Sequence, residues 1–270
     1  MSSNWKSICM FFSVLGLICI CAFKMPSSYK LVSKIPLDGG SFTTDNLQDV
    51  YVYEGSTLKK FSSTGTLLYT HSDKTYGDIS AVDVYDPMKV MLFYKDFPQI
   101  VYLDNTLSQN GNTINPADMG YPLTQLACIS HDNGLWIYDG QVLQLVRFDV
   151  NLNTFQKTGN LNQLLGITVN PVSLTEYNSY LYLNDTVQGI LIFDSFGTYY
   201  KTLPFTNVKH FEVRGDDLFY MQHHKLHAFH MKTITEDIIA QPDSMATQAR
   251  VEKNLLYEKY RDTLRVYDIK

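Results

Sequence analysis

Few side chains in this chain are suited to chemistry. Four histidines, His223, His224, His227 and His230, fall within one stretch of eight residues. Imidazoles converging to about 2.0–2.1 Å from one point would hold a metal ion. Acids also recur: Asp104, Asp149 and Asp194 are separated by 45 and 45 residues, and Asp268 follows in the same role. A catalytic carboxyl needs a unique environment that perturbs its pKa. Regular repetition points instead to a turn that is built several times, opened by a carboxylate bonded to the backbone ahead of it. A third set, Glu176, Arg214 and Glu252, would place one guanidinium fork between two carboxylates if the fold brought them together. No G-x-S-x-G, P-loop, G-x-G-x-x-G or C-x-x-C motif is found.

What must position these residues is a repeated unit. It is clearest from Tyr177 to Pro204, YNSYLYLNDTVQGILIFDSFGTYYKTLP, which reads as strands separated by tight turns. Five other stretches follow the same pattern. Second strands begin near Val50, Val90, Leu135, Leu181, Leu218 and Leu255, with gaps of 40, 45, 46, 37 and 37. A period near 41 is that of a four-stranded antiparallel blade, so the chain is expected to be an all-β propeller of six blades. The second unit has a looser outer strand, and the sixth has none. A spare strand, YKLVSKIPLDG from Tyr29, matches the outer strand TYYKTLPFT of the fourth unit. It is expected to pair with the last blade and close the ring, which removes open sheet edges. Residues 29–270 are thus read as one domain.

Placed on this frame, His227 aligns with Lys59 and His230 with Ser62, while His223 and His224 fall in a turn, so the cluster reads as exposed histidines and no metal is expected. Asn46, Asp86, Asp132, Asn178, Asp216 and Asn254 are expected at the turns after the innermost strands. Two residues before the ends of those strands stand Thr44, Val84, Ser130, Glu176, Arg214 and Glu252. The last three read as a polar clasp in the central channel. The long loops NTINPADMGYPLT and GNLNQLLGITVNP carry Met119, Tyr121, Leu161, Leu164 and Leu165 toward one face, with Phe97 in a neighbouring turn. Apolar side chains on loops mark a partner site or pack beneath the loops as satellite clusters.

In strand and turn pattern, residues from about 29 onward resemble six-bladed propellers of the NHL, TolB-like and YVTN kind. The resemblance carries no catalytic signature. It implies a binding platform or, as in some relatives, a hydrolase or lactonase, so fold alone does not decide. Related hydrolases hold calcium in a channel-mouth cage of Glu, Asp and Asn. The loops entering the innermost strands here offer Gly39, Gly40, Tyr76, Asp78, Tyr121, Asn170, Asn207 and Met245, which do not make a carboxylate-rich ring. No cofactor is expected.

The N-terminus differs from the rest. Lys6 precedes an apolar run, Ile8 to Phe23, which Lys24 closes. At about 1.5 Å per helical residue the run falls short of a hydrocarbon core of roughly 30 Å. Residues 1–28 therefore read as a secretory signal or a retained, apolar helical anchor. Cys19 and Cys21 are candidate lipidation sites, although Ile stands where a lipobox has a small residue. Cys128 is left as a small core residue of the domain. Asp185-Thr186-Val187, Asp243-Ser244-Met245 and Asp262-Thr263-Leu264 resemble a bacterial O-glycosylation motif and are expected in turns or loops. A net charge of -5 argues against nucleic acid. The reading is an exported, membrane-tethered module of a bacterial cell envelope with a protein or glycan partner. The alternatives are a hydrolase of a small ester, lactone or sugar and a small-molecule sensor.

Overall fold

The computed structural model describes residues 28–270. The apolar run and its cysteines Cys19 and Cys21 lie outside the described residues. Six antiparallel sheets stand around one axis. The first blade runs outward through Ser41–Thr44, Val50–Glu54, Thr57–Phe61 and Leu67–Ser72. The second is Ile79–Asp86, Lys89–Tyr94 and Gln99–Leu103, and only the isolated bridges Ile100–Ile114 and Leu103–Gln109 stand for its outer strand. The third is Thr124–Ile129, Leu135–Asp139, Gln144–Phe148 and Thr154–Lys157. The fourth is Ser173–Tyr177, Tyr180–Asp185, Gly189–Asp194 and Tyr199–Leu203, and the fifth is Phe211–Arg214, Asp217–Gln222, Lys225–His230 and Thr235–Ile239. The sixth is Gln248–Glu252, Leu255–Tyr260 and Thr263–Ile269, completed by Tyr29–Pro36.

The core lies between blades. Side chains alternate across a strand, so each middle strand feeds two junctions. Leu135 and Ile137 enter the cluster shared with the second blade, whereas Trp136 and Tyr138 enter the one shared with the fourth. Leu181 and Leu183 face the third blade, and Tyr182 faces the fifth. This double burial is why the middle strands are apolar at nearly every position rather than at every second one. The six junctions are unequal. Five contain nine to eleven buried apolar residues, but the junction of blades five and six has four: Leu226, Ala249, Leu256 and Tyr267.

Ring closure follows the sequence expectation. Tyr29–Pro36 pairs antiparallel with Thr263–Ile269, from Tyr29 opposite Ile269 to Pro36 opposite Thr263, with a bulge between Leu31 and Ser33. Ile35 and Leu37 are fully buried in the cluster between the sixth and first blades. Ser33 Oγ also donates to the Ser63 carbonyl of the first blade at 2.8 Å. Gly65, at φ 87°, turns the chain there, and a Cβ on it would stand 3.2 Å from that of Ser33.

Closure predicts unequal costs along this one strand. Ile35→Ala should lower stability by about 2–5 kcal/mol in a urea titration, as a buried truncation does. Leu31→Ala, at an exposed position, should stay within about 0.5 kcal/mol of the parent. Equal effects would mean that the strand does not lock the ring.

Candidate functional site: the channel and the loop face

Charged side chains of the innermost strands fasten blades to one another across the channel. Arg214 Nη2 lies 2.6 Å from Glu212 Oε1 and 2.5 Å from Glu252 Oε2. Arg250 joins them: its Nη2 donates to Glu212 Oε1 at 2.9 Å and its Nε to Thr44 Oγ1 of the first blade at 3.0 Å. Glu212 Oε2 accepts the Val251 backbone N–H at 3.1 Å. The guanidinium fork thus stands between two carboxylates, but the second is Glu212 rather than Glu176. Glu212 precedes Arg214 by two residues on one strand, so both project to the same side. Aligning one position per blade misses this second layer.

Glu176 is bound elsewhere. Its Oε2 accepts the Trp136 indole N–H at 2.6 Å, and its Oε1 accepts the His131 backbone N–H at 3.3 Å and pairs with the His131 imidazole Nδ1. Asp83 repeats the device at another junction: its Oδ2 accepts the Ile129 N–H at 2.9 Å. Burial pushes the Asp83 carboxyl above its ordinary value, against the backbone N–H groups it accepts. Burial likewise raises Glu252, with Arg214 opposing. Asp83, Glu212 and the Glu176 partners His131 and Trp136 were not legible in these roles, because the roles depend on contacts between blades.

The histidine cluster lies on the fifth blade. His230 Nδ1 is 2.5 Å from Asp217 Oδ1 and its Nε2 is 3.2 Å from Asp237 Oδ2, and these bonds raise its pKa. His227 Nδ1 meets Glu236 at 3.1 Å and stacks on Tyr220. His224 Nδ1 lies 3.1 Å from the Ala246 carbonyl oxygen. Each of these imidazoles therefore has its own partner. Among the described residues, no group of three or more His, Cys, Asp or Glu is arranged to hold a metal ion.

The repeated acids open turns. Asp104, Asp149 and Asp194 each accept two backbone N–H groups through Oδ1, at 2.8–3.0 Å. Asp268 differs: it lies within a strand and accepts the Asn254 side-chain amide at 2.8 Å. In the first blade the turn acceptor is Asp45 rather than Asn46. Thr263 begins a paired strand rather than lying in a turn.

Strand order assigns every connection to one of two faces. Second-to-third-strand turns and the loops between blades share one face, here called the loop face; the other turns share the opposite face. Phe97, on a second-to-third-strand turn, is 69% exposed, and Leu164 is 55% exposed. Leu164 sits on the short helix Leu161–Leu165, whose N-cap Asn160 accepts the Gln163 N–H at 3.1 Å and which Gly166 ends at φ 67°. Leu165 packs on the core between blades three and four. With Leu164, Ile167, Gln188, Tyr199 and Thr202 it lines an open pocket of about 410 Å³. Tyr121 is buried edge-on to Phe148, with ring centres 5.5 Å apart. Met119 packs against the core and lines a crevice of about 460 Å³ between blades two and three. The loops therefore tuck Tyr121, Leu161, Leu165 and Met119 beneath themselves and leave Phe97 and Leu164 outside. Leu123, Val142, Val172 and Val187 are also exposed on this face, Val187 at 73%. Single apolar residues in turns gave no sequence signal.

No family model and no curated protein matches the sequence. Solved structures do match in shape. BamB from Moraxella catarrhalis has a TM-score of 0.54 at 11% identity, covering 90% of this chain and 98% of that one. Virginiamycin B lyase from Staphylococcus aureus has 0.58 at 10%, covering 90% and 100%. A chain of the mitotic checkpoint complex has 0.64 at 9%, covering 100% and 98%. The chain is a six-bladed β-propeller. At such identities the likeness defines a fold shared by lyases and by members of assemblies. Among the described residues no helix is long and apolar enough to cross a membrane.

One buried acid gives the domain a pH signature. Glu258 is fully buried in the sixth blade. Its Oε1 accepts the Gln241 amide at 3.0 Å, while cross-strand Arg265 turns to Asp243 at 2.6 Å. Burial raises the Glu258 pKa from 4.5 to about 7. The folded state then binds more proton than the unfolded chain between these values, so this group removes stability as pH rises from 4.5 to about 7. Glu258→Gln should leave stability nearly unchanged at pH ~4 and raise it by up to about 3 kcal/mol at pH ~8. Denaturant titrations at the two pH values check this. An equal gain at both would mean that the carboxyl titrates normally.

Proposed function

We propose that this protein is an exported, membrane-tethered propeller that serves as a non-catalytic binding module in a bacterial cell-envelope assembly, its loop face held out to a protein partner. One observation carries the reading. Phe97, Leu123, Val142, Leu164, Val172 and Val187 are exposed on the loop face of three consecutive blades, the second to the fourth. Elsewhere on the loop face, among the described residues, Met245 in the loop between blades five and six is the one large apolar side chain of a turn or loop that is comparably exposed. Scattered apolar side chains are ordinary on a surface, whereas a run across adjacent blades fits a contact region. The channel residues, engaged with one another, support a scaffold role over turnover. One structural neighbour belongs to a multi-protein assembly, the mitotic checkpoint complex. The apolar run Ile8–Phe23 supports export and tethering.

A photo-crosslinking residue at position 97 or 187, in the full chain in intact cells, should trap a defined protein. The triple change Phe97→Ser, Leu164→Ser and Val187→Ser should abolish a crosslink placed at Leu123, with stability changed by no more than about 0.5 kcal/mol per site. An unchanged crosslink would remove this face from consideration.

A second reading, a propeller hydrolase, has one feature in its favour: the His131 imidazole, about one-third exposed, is held by buried Glu176, as a general base would be. Purified protein assayed on ester and lactone substrates should show no turnover that His131→Ala abolishes. Turnover lost in that variant would favour the enzyme.

A further inference from the structure

The chain enters the propeller on the face opposite the loop face. Tyr29 pairs with Ile269, and the Lys270 N–H donates to the Ser28 carbonyl at 3.0 Å. The outer strand of the sixth blade therefore starts on that opposite face. Only five residues, Lys24 to Ser28, separate it from the apolar run. Fully extended, they reach about 18 Å. If the run is held in a bilayer, this face is kept close to it.

The same face carries exposed apolar tips on each of the other five blades. Leu47 and Met88 stand on first-to-second-strand turns of blades one and two, and Val150, Phe196 and Ile234 on third-to-fourth-strand turns of blades three to five. Four of these tips are fixed by carboxylates. The Leu47, Met88 and Phe196 N–H groups donate to Asp45, Asp86 and Asp194 at 2.8–2.9 Å, and Asp149 holds the turn around Val150. Ile234 is 75% exposed and held at φ 56°, a conformation that a β-branched residue adopts at a steric cost. Its N–H donates to the His230 carbonyl at 2.8 Å. Nothing in the core uses its side chain.

We infer that this face rests on a lipid bilayer, with Leu47, Met88, Val150, Phe196 and Ile234 seated at the headgroup–acyl boundary around the point where the N-terminal segment enters. The inference depends on the tether of the proposed function. A short apolar run gains from a second contact, because stable anchoring combines two signals. The tips are already ordered, so contact costs little conformational freedom. The turn carboxylates beside them favour zwitterionic headgroups over anionic ones.

The test reconstitutes the full chain into phosphatidylcholine vesicles, with a genetically encoded solvatochromic amino acid at position 196, 234, 97 or 187. Vesicles carry a nitroxide lipid at the boundary, about 5–10 Å deep. Positions 196 and 234 should shift to the blue and lose most of their emission to the nitroxide, while 97 and 187 keep theirs. Quenching should weaken when anionic phosphatidylglycerol replaces part of the lipid. Vesicle flotation reports the tether separately. A chain that floats while positions 196 and 234 stay water-like overturns the bilayer face and leaves the tether standing. A blue shift without nitroxide quenching assigns the face to a second copy of the chain and also overturns it. A chain that does not float sinks both readings.

Discussion

Each middle strand must bury two opposite sets of side chains against two different neighbours, and the rest of the structure depends on that constraint. Trp136 and Tyr138 need the fourth blade, and Leu135 and Ile137 need the second. A blade with one neighbour would leave half of its apolar side chains in water, at roughly 25 cal/mol per Å². A linear stack of such blades has two unsatisfied ends, whereas a ring has none. Tyr29–Pro36 is therefore part of the core rather than an appendage: it supplies Ile35 to the last junction and covers the edge of Thr263–Ile269.

The ring is not uniform, and its largest group of mutually paired charges lies where its apolar contacts are thinnest. The junction of blades five and six has the smallest apolar cluster. Across it run the bonds of Glu212 to Arg250 and to the Val251 N–H, the ion pair of Arg214 with Glu252, and the Gln241–Glu258 bond. Hydrogen bonds to charged groups contribute about 1.5–3 kcal/mol each when well made. Buried ions offset much of that through desolvation, and the raised pKa values of Glu252 and Glu258 register that cost. The channel groups thus join blades that apolar contact alone joins weakly.

The fold was legible because its rules are local and repeated. Strand phase, the turn acids Asp104, Asp149 and Asp194 and the spare first strand can each be read from short stretches. Channel pairing was legible only in part. Arg214 has two carboxylate partners, but choosing Glu212 over Glu176 depends on how neighbouring blades rotate against each other, which no single repeat records. The loops show the same limit. Tyr121 and Phe97 are both aromatic residues in connections, yet Tyr121 has Phe148 to pack against and Phe97 does not. Composition cannot distinguish a loop that folds back on a blade from a turn that projects.

Topology converts these local outcomes into two different surfaces. Antiparallel strand order sends all loops between blades to one face, and closure by an N-terminal strand sends the chain's entry to the other. The loops between blades and the entry point cannot share a face in a propeller closed in this way. Exposed apolar side chains occur on both faces but are distributed differently: on the loop face they concentrate over blades two to four, with Met245 apart from them, and on the other they are spread one or two to a blade over five blades. A grouped patch suits a partner that covers part of a face. A spread set of rigid tips suits a flat, extended surface, because only such a surface meets every tip at once.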